Sequence, residues 1–229
     1  MKTIGLLGGM SWESTAEYYR LANEFVRDRL GGLHSAEIVM LSVDFAEIEA
    51  MQVAGQWNEA GELLAEAAHR LELAGADLIV LCTNTMHKVA APIEDAIEVP
   101  FVHLGDTTAD AVRAAGLTKV GLLGTIFTME QDFYANRLRH HGLEVLLPEA
   151  DDRERLNAII YDELCLGVIR EESRAFYLEA IGRLVAVGAE GVILGCTEIE
   201  LLIDQSQLAT PVFPTTRLHV QAAVDLALG

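Results

Sequence analysis

The feature that most constrains the fold is an internal repeat. Residues 75–85 and residues 188–198 align without a gap, and this alignment places Thr83 opposite Cys196. Each copy is an apolar run that follows a helical stretch and ends in polar residues. Near-continuous apolar runs are typical of strands that are buried on both faces of a parallel sheet. The repeat therefore predicts two similar units, each with polar side chains at the end of a buried strand.

A second repeat extends this pattern along the chain. The segment Lys119–Thr125 repeats the opening segment Thr3–Gly9, and apolar strands alternate with helices throughout. Such alternation indicates an α/β fold whose parallel sheets are covered by helices on both faces. After the second repeat, Thr128 and Gln131 have the spacing of a helix capping box. The second unit is predicted to begin near residue 99.

The size and charge of the chain narrow the classes of function. With 229 residues, of which 51% are hydrophobic and 22% charged, it has enough apolar material for a globular core. Its 35 acidic and 16 basic residues give a formal net charge of -19, which argues against binding to nucleic acids or anionic membranes. No apolar run approaches the ~20 residues of a membrane span, and the apolar start is too short for a signal peptide. We therefore expect a cytoplasmic protein.

The cysteines and histidines give no sign of a metal site. Cys82, Cys165 and Cys196 lack metal-ligand spacing, and their odd count favours free thiols in a reducing compartment. The seven histidines form no metal-type cluster. The Gly8-Gly9 pair also lacks the further residues of a phosphate-binding loop. The sequence thus predicts no metal and no cofactor of the nucleotide class.

Four groups of residues follow predicted strands. In an open parallel sheet, ligands bind beyond the carboxyl ends of the strands, so these groups meet in one place if the two halves face each other. The groups are Gly8-Gly9-Met10, Thr83-Asn84-Thr85, Thr125 and Cys196-Thr197-Glu198.

Two of these residues are candidates for the chemistry. Cys196 precedes a predicted helix N-terminus, which favours a thiolate and would lower the thiol pKa from its usual value of ~8.5. The alternative is a structural cysteine at the end of a buried strand. Thr83 occupies the corresponding position in the first half, where it could hold a water molecule, donate a proton or cap a helix.

The other candidates lie near strand-to-helix junctions. Their hydroxyl and amide groups, together with backbone amides, suit the binding of a carboxylate, although each could instead be a simple helix cap. They are Asn84, Thr85, Thr125 and Thr197, with Gln52, Trp57 and Glu198 as further possible contacts. His87 lies one turn after Thr83 and either orients or protonates a ligand, or is a helix residue with a backbone partner.

The most specific blocks of the sequence carry a family resemblance. They are Gly5-Leu6-Leu7-Gly8-Gly9-Met10-Ser11, Thr83-Asn84-Thr85 and Gly195-Cys196-Thr197-Glu198. With these blocks, the whole chain resembles the aspartate/glutamate racemase family, part of a wider group with hydantoin racemase and maleate isomerase. The resemblance implies two pseudo-symmetric three-layer α/β domains with parallel sheets and an active site in the cleft between them. It implies domains at residues 1–98 and 99–211, with residues 212–229 returning to the first.

The resemblance also implies a reaction and a substrate. Family members are commonly dimers, use no pyridoxal phosphate, and place one cysteine from each half on either side of the substrate α-carbon. One cysteine removes the α-proton and the other returns a proton on the opposite face. We therefore expect a homodimer that binds L-aspartate or L-glutamate. The expected substrate contacts are Met10, Gln52, Asn84, Thr85, Thr125, Thr197 and Glu198.

The sequence departs from the family pattern at one important position. The first motif is usually Cys-Asn-Thr, whereas here it is Thr83-Asn84-Thr85, and the neighbouring Cys82 would point the opposite way on a strand. By analogy, Cys196 removes the α-proton of the L-enantiomer, and Thr83 or a water that it holds returns a proton. Two alternatives stay open. One is a cysteine-dependent hydrolase, isomerase or decarboxylase acting on a small dicarboxylate, and the other is a non-catalytic carboxylate-binding protein.

Overall fold

The computed structural model describes residues 1–229 and divides into two compact units. The first unit comprises Met1–His103 and His219–Gly229, and the second comprises Leu104–Leu218. No helix combines the length and the apolar character that crossing a bilayer requires.

The first unit is built on a four-stranded parallel sheet. Its strands, in the spatial order β2-β1-β3-β4, are β1 (Ile4–Gly8), β2 (Ile38–Ser42), β3 (Leu78–Leu81) and β4 (Phe101–Val102). Its helices are α1 (Trp12–Leu30), α2 (Phe45–Ala54), α3 (Trp57–Leu73) and α4 (Ala90–Asp95), with a 3-10 turn at Thr85–Val89.

The second unit repeats this architecture with its own four-stranded parallel sheet. The strands, in the order β6-β5-β7-β8, are β5 (Lys119–Gly124), β6 (Glu144–Leu146), β7 (Gly191–Gly195) and β8 (Val212–Pro214). The helices are α5 (Leu104–Ala114), α6 (Ile126–Glu130), α7 (Asp132–His140), α8 (Ala150–Asp162), α9 (Glu171–Ala186) and α10 (Ile199–Leu202), with 3-10 turns at Leu164–Leu166 and Gln205–Gln207.

The last helix, α11 (Thr215–Leu228), begins in the second unit, and its residues from His219 onward belong to the first. Strand β8 pairs with β7, so residues 212–214 are part of the second sheet. The segment that joins the first unit therefore starts later than residue 212, where the sequence analysis placed it. Val220 and Val224 of α11 pack in the core of the first unit, which explains why this part of the helix belongs there.

Each sheet has a hydrophobic core on both faces, so each unit has three layers. Leu6 of β1 packs with α1 and α11, whereas the next residue, Leu7, packs with α3. In the second unit, Leu123 packs with α8 and α9, whereas Leu122 packs with α5 and α7. Burying each such leucine contributes ~1.5–3 kcal/mol to folding. The predicted α/β fold with two repeated parallel-sheet units is confirmed.

The register of the central strands places their carboxyl ends side by side. Leu7 of β1 pairs with Leu81 of β3, and Gly124 of β5 pairs with Gly195 of β7. Because neighbouring strands lie about 4.8 Å apart, the residues that follow them are neighbours within each unit. The fold therefore presents one group of candidate residues per unit.

The sequence analysis did not predict α2. The Asp44 side chain caps this helix by accepting from the N–H of Ala46, and the helix ends at Gly55, whose φ is 71°. Only Ile48 and Gln52 of α2 are buried. The helix therefore lacks the apolar stripe from which a helix is usually recognised in a sequence.

Candidate active site

The loop after β1 is shaped by two glycines. Gly9 has a φ of 99°, and its N–H donates to the hydroxyl of Thr15 at 2.8 Å. A Cβ on Gly8 would lie 2.3 Å from the methyl carbon of Thr15. Ser11 caps α1, and Met10 is buried in the core on the α3 face of the sheet. The close packing of strand end and helix start thus fixes Met10 at the edge of the sheet.

The segment Thr83-Asn84-Thr85 begins two residues after the end of β3, and its three side chains are buried. The carbonyl oxygen of Thr83 lies 2.7 Å from Nδ1 of His87. A carbonyl oxygen can only accept, so Nδ1 carries the proton of this ring. This is a backbone partner of the kind that one interpretation of His87 predicted, and the contact holds the turn that carries Thr83.

Cys82 immediately precedes this segment and belongs to the hydrophobic core of the first unit. It is buried in the core cluster that β1 and β3 form with α1 and α11, and its Sγ is 3.7 Å from the carbonyl oxygen of Val80. Burial raises the pKa of the Cys82 thiol. A protonated thiol in an apolar core does not replace a cysteine at position 83.

Gln52 of α2 is a buried amide with weak hydrogen bonding. It is 5% exposed, and its Nε2 group donates to the thioether sulfur of Met86 at 3.0 Å. Its Oε1 atom is buried without a hydrogen-bond partner. An unsatisfied buried acceptor costs about 1–3 kcal/mol. A ligand that donates a hydrogen bond would recover part of that energy.

Three buried histidines come together in the first unit. The ring centroids of His103 and His219 lie 4.8 and 5.6 Å from that of His87. Nε2 of His219 donates to the carbonyl oxygen of Val102 at 2.6 Å, and its Nδ1 is 3.0 Å from the hydroxyl of Tyr18. Burial lowers the pKa of His219 to about 4. This histidine is therefore neutral near pH 7.

In the second unit, Thr125 follows β5 and caps α6. Its hydroxyl accepts from the N–H of Thr128 at 3.3 Å. The capping box expected from Thr128 and Gln131 is therefore wrong, because the cap lies three residues earlier. Thr128 is already inside α6, and Gln131 is extended between α6 and α7.

Cys196 is the first residue after β7 and is 8% exposed. Its thiol donates a hydrogen bond to Oε2 of Glu198 at 2.9 Å. Burial raises the pKa of this thiol well above its ordinary value, and the negative charge of Glu198 raises it further. The expected lowering of the pKa is therefore wrong. The helix that follows, α10, is one turn that begins only at Ile199, and its dipole does not offset the burial.

The residues around Cys196 are also buried. The hydroxyl of Thr197 accepts from the hydroxyl of Thr216 at 2.9 Å. Tyr177 is a buried residue of α9, and its pKa is raised chiefly by burial. The sequence analysis singled out neither Thr216 nor Tyr177, because each reads as an ordinary helix residue.

Within each unit, the structure brings the candidate residues to the predicted sheet edge. Thr125 and Cys196 directly follow the paired residues of β5 and β7. Met10 and Thr83 lie two residues after the ends of β1 and β3, respectively. At Trp57, the Lys88 ammonium lies 3.5 Å from the centroid of the indole ring. No group of three or more His, Cys, Asp or Glu side chains is arranged to hold a metal ion.

Comparisons with known proteins find racemases and racemase homologues that match nearly the whole chain. A family model described as Asp/Glu/Hydantoin racemase matches residues 7–223. The crystal structure of a putative Asp/Glu racemase from Yersinia pestis is 54% identical, with 100% of each chain covered and a TM-score of 0.94. An aspartate racemase homologue from Pyrococcus horikoshii is 36% identical, with 100% of each chain covered and a TM-score of 0.89. The broad specificity amino-acid racemase RacX of Bacillus subtilis is 21% identical over 99% of this chain and 98% of its own length.

Proposed function

Because the chain belongs to the Asp/Glu/hydantoin racemase family, we propose that it is a racemase that inverts the α-carbon of aspartate or glutamate. The observation that carries this proposal is the pair of corresponding positions after β3 and β7. One position holds the hydroxyl of Thr83 and the other holds the thiol of Cys196. The proposal requires that one substrate molecule contact both residues.

In the proposed reaction, Cys196 removes the α-proton of the L-enantiomer. Thr83, or a water molecule bound to it, then delivers a proton to the opposite face of the carbanion. The reaction uses no pyridoxal phosphate, because a side-chain base acts on the α-carbon directly. Thr83 is a poor base, so removal of the α-proton from the D-enantiomer is the slower half of the cycle.

Thermodynamics limits this asymmetry. The two enantiomers of a free amino acid have equal free energy, so the catalytic efficiencies of the two directions must be equal. The enzyme therefore turns over both enantiomers, and the hydroxyl limits both rates. The asymmetry appears in α-proton exchange with solvent, because exchange through Cys196 alone does not require Thr83 to act as a base.

The substrate contacts are proposed from the polar groups at the two sheet edges. Asn84, Thr85, Thr125 and Thr197 supply hydroxyl and amide groups for the α-carboxylate and the amino group. The unsatisfied Oε1 of Gln52 suits an ammonium group, since this atom is an acceptor buried in the first unit. Met10 supplies an apolar side of the proposed substrate site. Glu198 accepts a hydrogen bond from the thiol of Cys196.

Exchange of the α-proton in heavy water tests the function. L-aspartate, D-aspartate, L-glutamate and D-glutamate are each incubated with the protein, and α-deuterium uptake is followed by mass or NMR. We expect uptake from an L-enantiomer that exceeds uptake from its D-enantiomer. Equal and fast exchange from both would contradict the asymmetric mechanism, and the absence of exchange from all four would contradict the racemase.

A second candidate function is a decarboxylase for a small dicarboxylate. The raised pKa of Cys196 favours it, because a protonated thiol can donate a proton to the carbanion that loss of carbon dioxide leaves. This reaction releases carbon dioxide, whereas racemisation conserves the substrate. Measuring released carbon dioxide in the same incubations distinguishes the two reactions.

We also propose that the protein is a cytoplasmic homodimer. Free cysteines at all three positions are compatible with a reducing compartment. The dimer is proposed from the family resemblance. Light scattering coupled to size exclusion measures the mass directly, and a monomer at all concentrations would contradict the proposal.

A further inference from the structure

A buried carboxylate is in direct contact with the thiol at the end of β7. Sγ of Cys196 and Oε2 of Glu198 are 2.9 Å apart, and the two residues are 8% and 5% exposed. A carboxylate ordinarily loses much of its hydration energy when it is buried, so it is retained where something compensates. Here the thiol donates a hydrogen bond to it.

Two further ionisable groups interact electrostatically with this pair. They are Tyr177 of α9 and Cys165 from the segment after α8. Tyr177 donates its own hydroxyl to the carbonyl oxygen of Leu156 at 3.1 Å. Each of these groups is neutral or becomes negative on losing its proton. Thiol and carboxylate are coupled through their direct contact, because, in addition to burial, the negative charge of Glu198 raises the pKa of the thiol.

We propose that Glu198 accepts the thiol proton of Cys196, so that the coupled pair rather than the thiol alone is the base of the second half-site. This inference rests on the proposed racemase function and gives Glu198 a role different from a direct contact with substrate. Glu198 acts on the reaction through the sulfur and is in that sense a positioning residue.

The proton balance of the step is simple. The S–H bond of Cys196 breaks and an O–H bond forms on Glu198, which leaves a thiolate beside a neutral carboxylic acid. The thiolate then takes the α-proton, so the Cα–H bond breaks and a new S–H bond forms. The pair has gained one proton, and the substrate carbanion has gained the negative charge. Return of a proton to the substrate and transfer of the extra proton to solvent restore the starting state.

The internal repeat supports this assignment. The same ungapped alignment that places Thr83 opposite Cys196 places Thr85 opposite Glu198. The first half therefore lacks both the thiol and the carboxylate. Sulfur and proton acceptor occur together in one half, as expected if they work as a pair.

The test compares Glu198→Gln with the wild type in two measurements. The first is the pH dependence of α-deuterium uptake from the L-enantiomer. The second is the ionisation midpoint of the Cys196 thiol, obtained from thiolate absorbance as the difference from a Cys196→Ser variant. Glu179→Gln is the matched control, because it removes a glutamate charge from an exposed position of the same unit.

We expect uptake by E198Q at pH 7 to fall about 100-fold, the usual size of a general-base contribution. Uptake should rise about tenfold per pH unit in this variant, because the thiol can then lose its proton only to solvent. The wild type should show a flat profile around neutral pH, and E179Q should follow it. The thiol midpoint should be lower in E198Q, because a neighbouring negative charge is gone.

Uptake by E198Q that stays within about threefold of the wild type, with the same pH profile, would overturn the inference. A purely structural carboxylate would alter thermal stability and leave the pH profile unchanged. If E198Q does not fold, Glu198→Asp retains the charge on a shorter side chain and should also change the profile. If the wild type exchanges no α-proton, the proposed function fails. The thiol midpoint then still decides whether the pair is coupled, because an unchanged midpoint in E198Q would contradict the coupling.

Discussion

The two units share a scaffold and differ in the chemistry of their candidate residues. In both units, a central strand ends beside its neighbour, and a threonine or serine caps the helix that follows the first strand. At the position of Thr83 and Cys196, the first unit has a hydroxyl, and the second has a thiol that is hydrogen-bonded to a carboxylate. Backbone geometry is thus repeated independently of the groups that it presents. A repeat detected in a sequence therefore indicates where a site lies, whereas the particular residues decide what each half can do.

The residues immediately before Thr83 and Cys196 also differ between the two units. Cys82 directs its side chain into the core of the first unit. Its counterpart is Gly195, where a Cβ would lie 2.7 Å from the carbonyl oxygen of Leu123. The second unit packs β5 against β7 too closely at this point for any side chain. The two strand ends are equivalent in topology, but they are not interchangeable in detail.

Of the changes that test this comparison, the replacement of Cys196 by alanine should have the largest effect. Without the thiol, neither half has a strong base, so α-deuterium uptake from L-aspartate should fall by about 10³-fold or more. The variant should fold, because the residue contributes one small side chain to the core. Circular dichroism checks the fold. If Cys196→Ala retained activity, the thiol would not be the group that distinguishes the chemistry of the second unit.

The second effect is a pH dependence of stability that belongs to the first unit. The pKa of His219 is lowered from 6.5 to about 4 by burial, so the unfolded chain binds its proton more readily. The stability that the neutral ring contributes is complete above pH 6.5 and is lost as the pH falls through about 4. The free energy of unfolding should therefore fall by about 3 kcal/mol from this group over that range.

Urea denaturation at pH 7 and pH 4 measures this change. In His219→Gln, the difference in unfolding free energy between the two pH values should be smaller than in the wild type. His34→Gln is the control, because His34 is exposed. Equal pH dependence in the wild type and His219→Gln would show that other groups determine the acid sensitivity.

The third effect concerns the packing of the strand ends. Gly195→Ala should lower the free energy of unfolding by about 2 kcal/mol, because the new methyl group overpacks the contact with β5. Cys82→Ala, at the corresponding position, removes one sulfur atom and should cost about 1 kcal/mol. Urea denaturation of both variants gives the comparison. A larger loss for Cys82→Ala would contradict the tighter packing assigned to the second unit.

The smallest expected effect is a gain. Thr83→Cys places a thiol in both halves, and α-deuterium uptake from D-aspartate should rise about tenfold. Thr85→Cys is the control, since it introduces a thiol on the same segment at the position opposite Glu198. A larger gain from Thr85→Cys would show that Thr83 is not the counterpart of Cys196. An unchanged rate in Thr83→Cys would mean that a thiol there also needs its own carboxylate.

The sequence predicted the strands, the repeated units and the strand ends that carry the candidate residues, because apolar runs and repeats are local patterns. It did not predict α2, whose buried residues are only Ile48 and Gln52. It also expected a capping box at Thr128 and Gln131, whereas Thr125, which it named as a possible cap, is the residue that caps α6. Both threonines have hydroxyl groups, and only the backbone decides which one caps.

The protonation of Cys196 shows a deeper limit. A cysteine before a predicted helix suggested a lowered pKa, but burial and Glu198 raise it. The sequence contains both residues at a spacing of two, yet nothing in it reveals that the turn folds one side chain back onto the other. Electrostatics depends on distance and burial, and these become visible only in three dimensions.

The division of α11 between the two units has a consequence for biosynthesis. The core of the first unit contains Val220, Ala223, Val224 and Ala227, which follow the whole second unit along the chain. The second unit is one continuous segment and is complete earlier along the chain. The N-terminal sheet therefore gains its final layer only after the second unit has been synthesised, and a stop codon before residue 220 would leave the half made first as the half left unfinished.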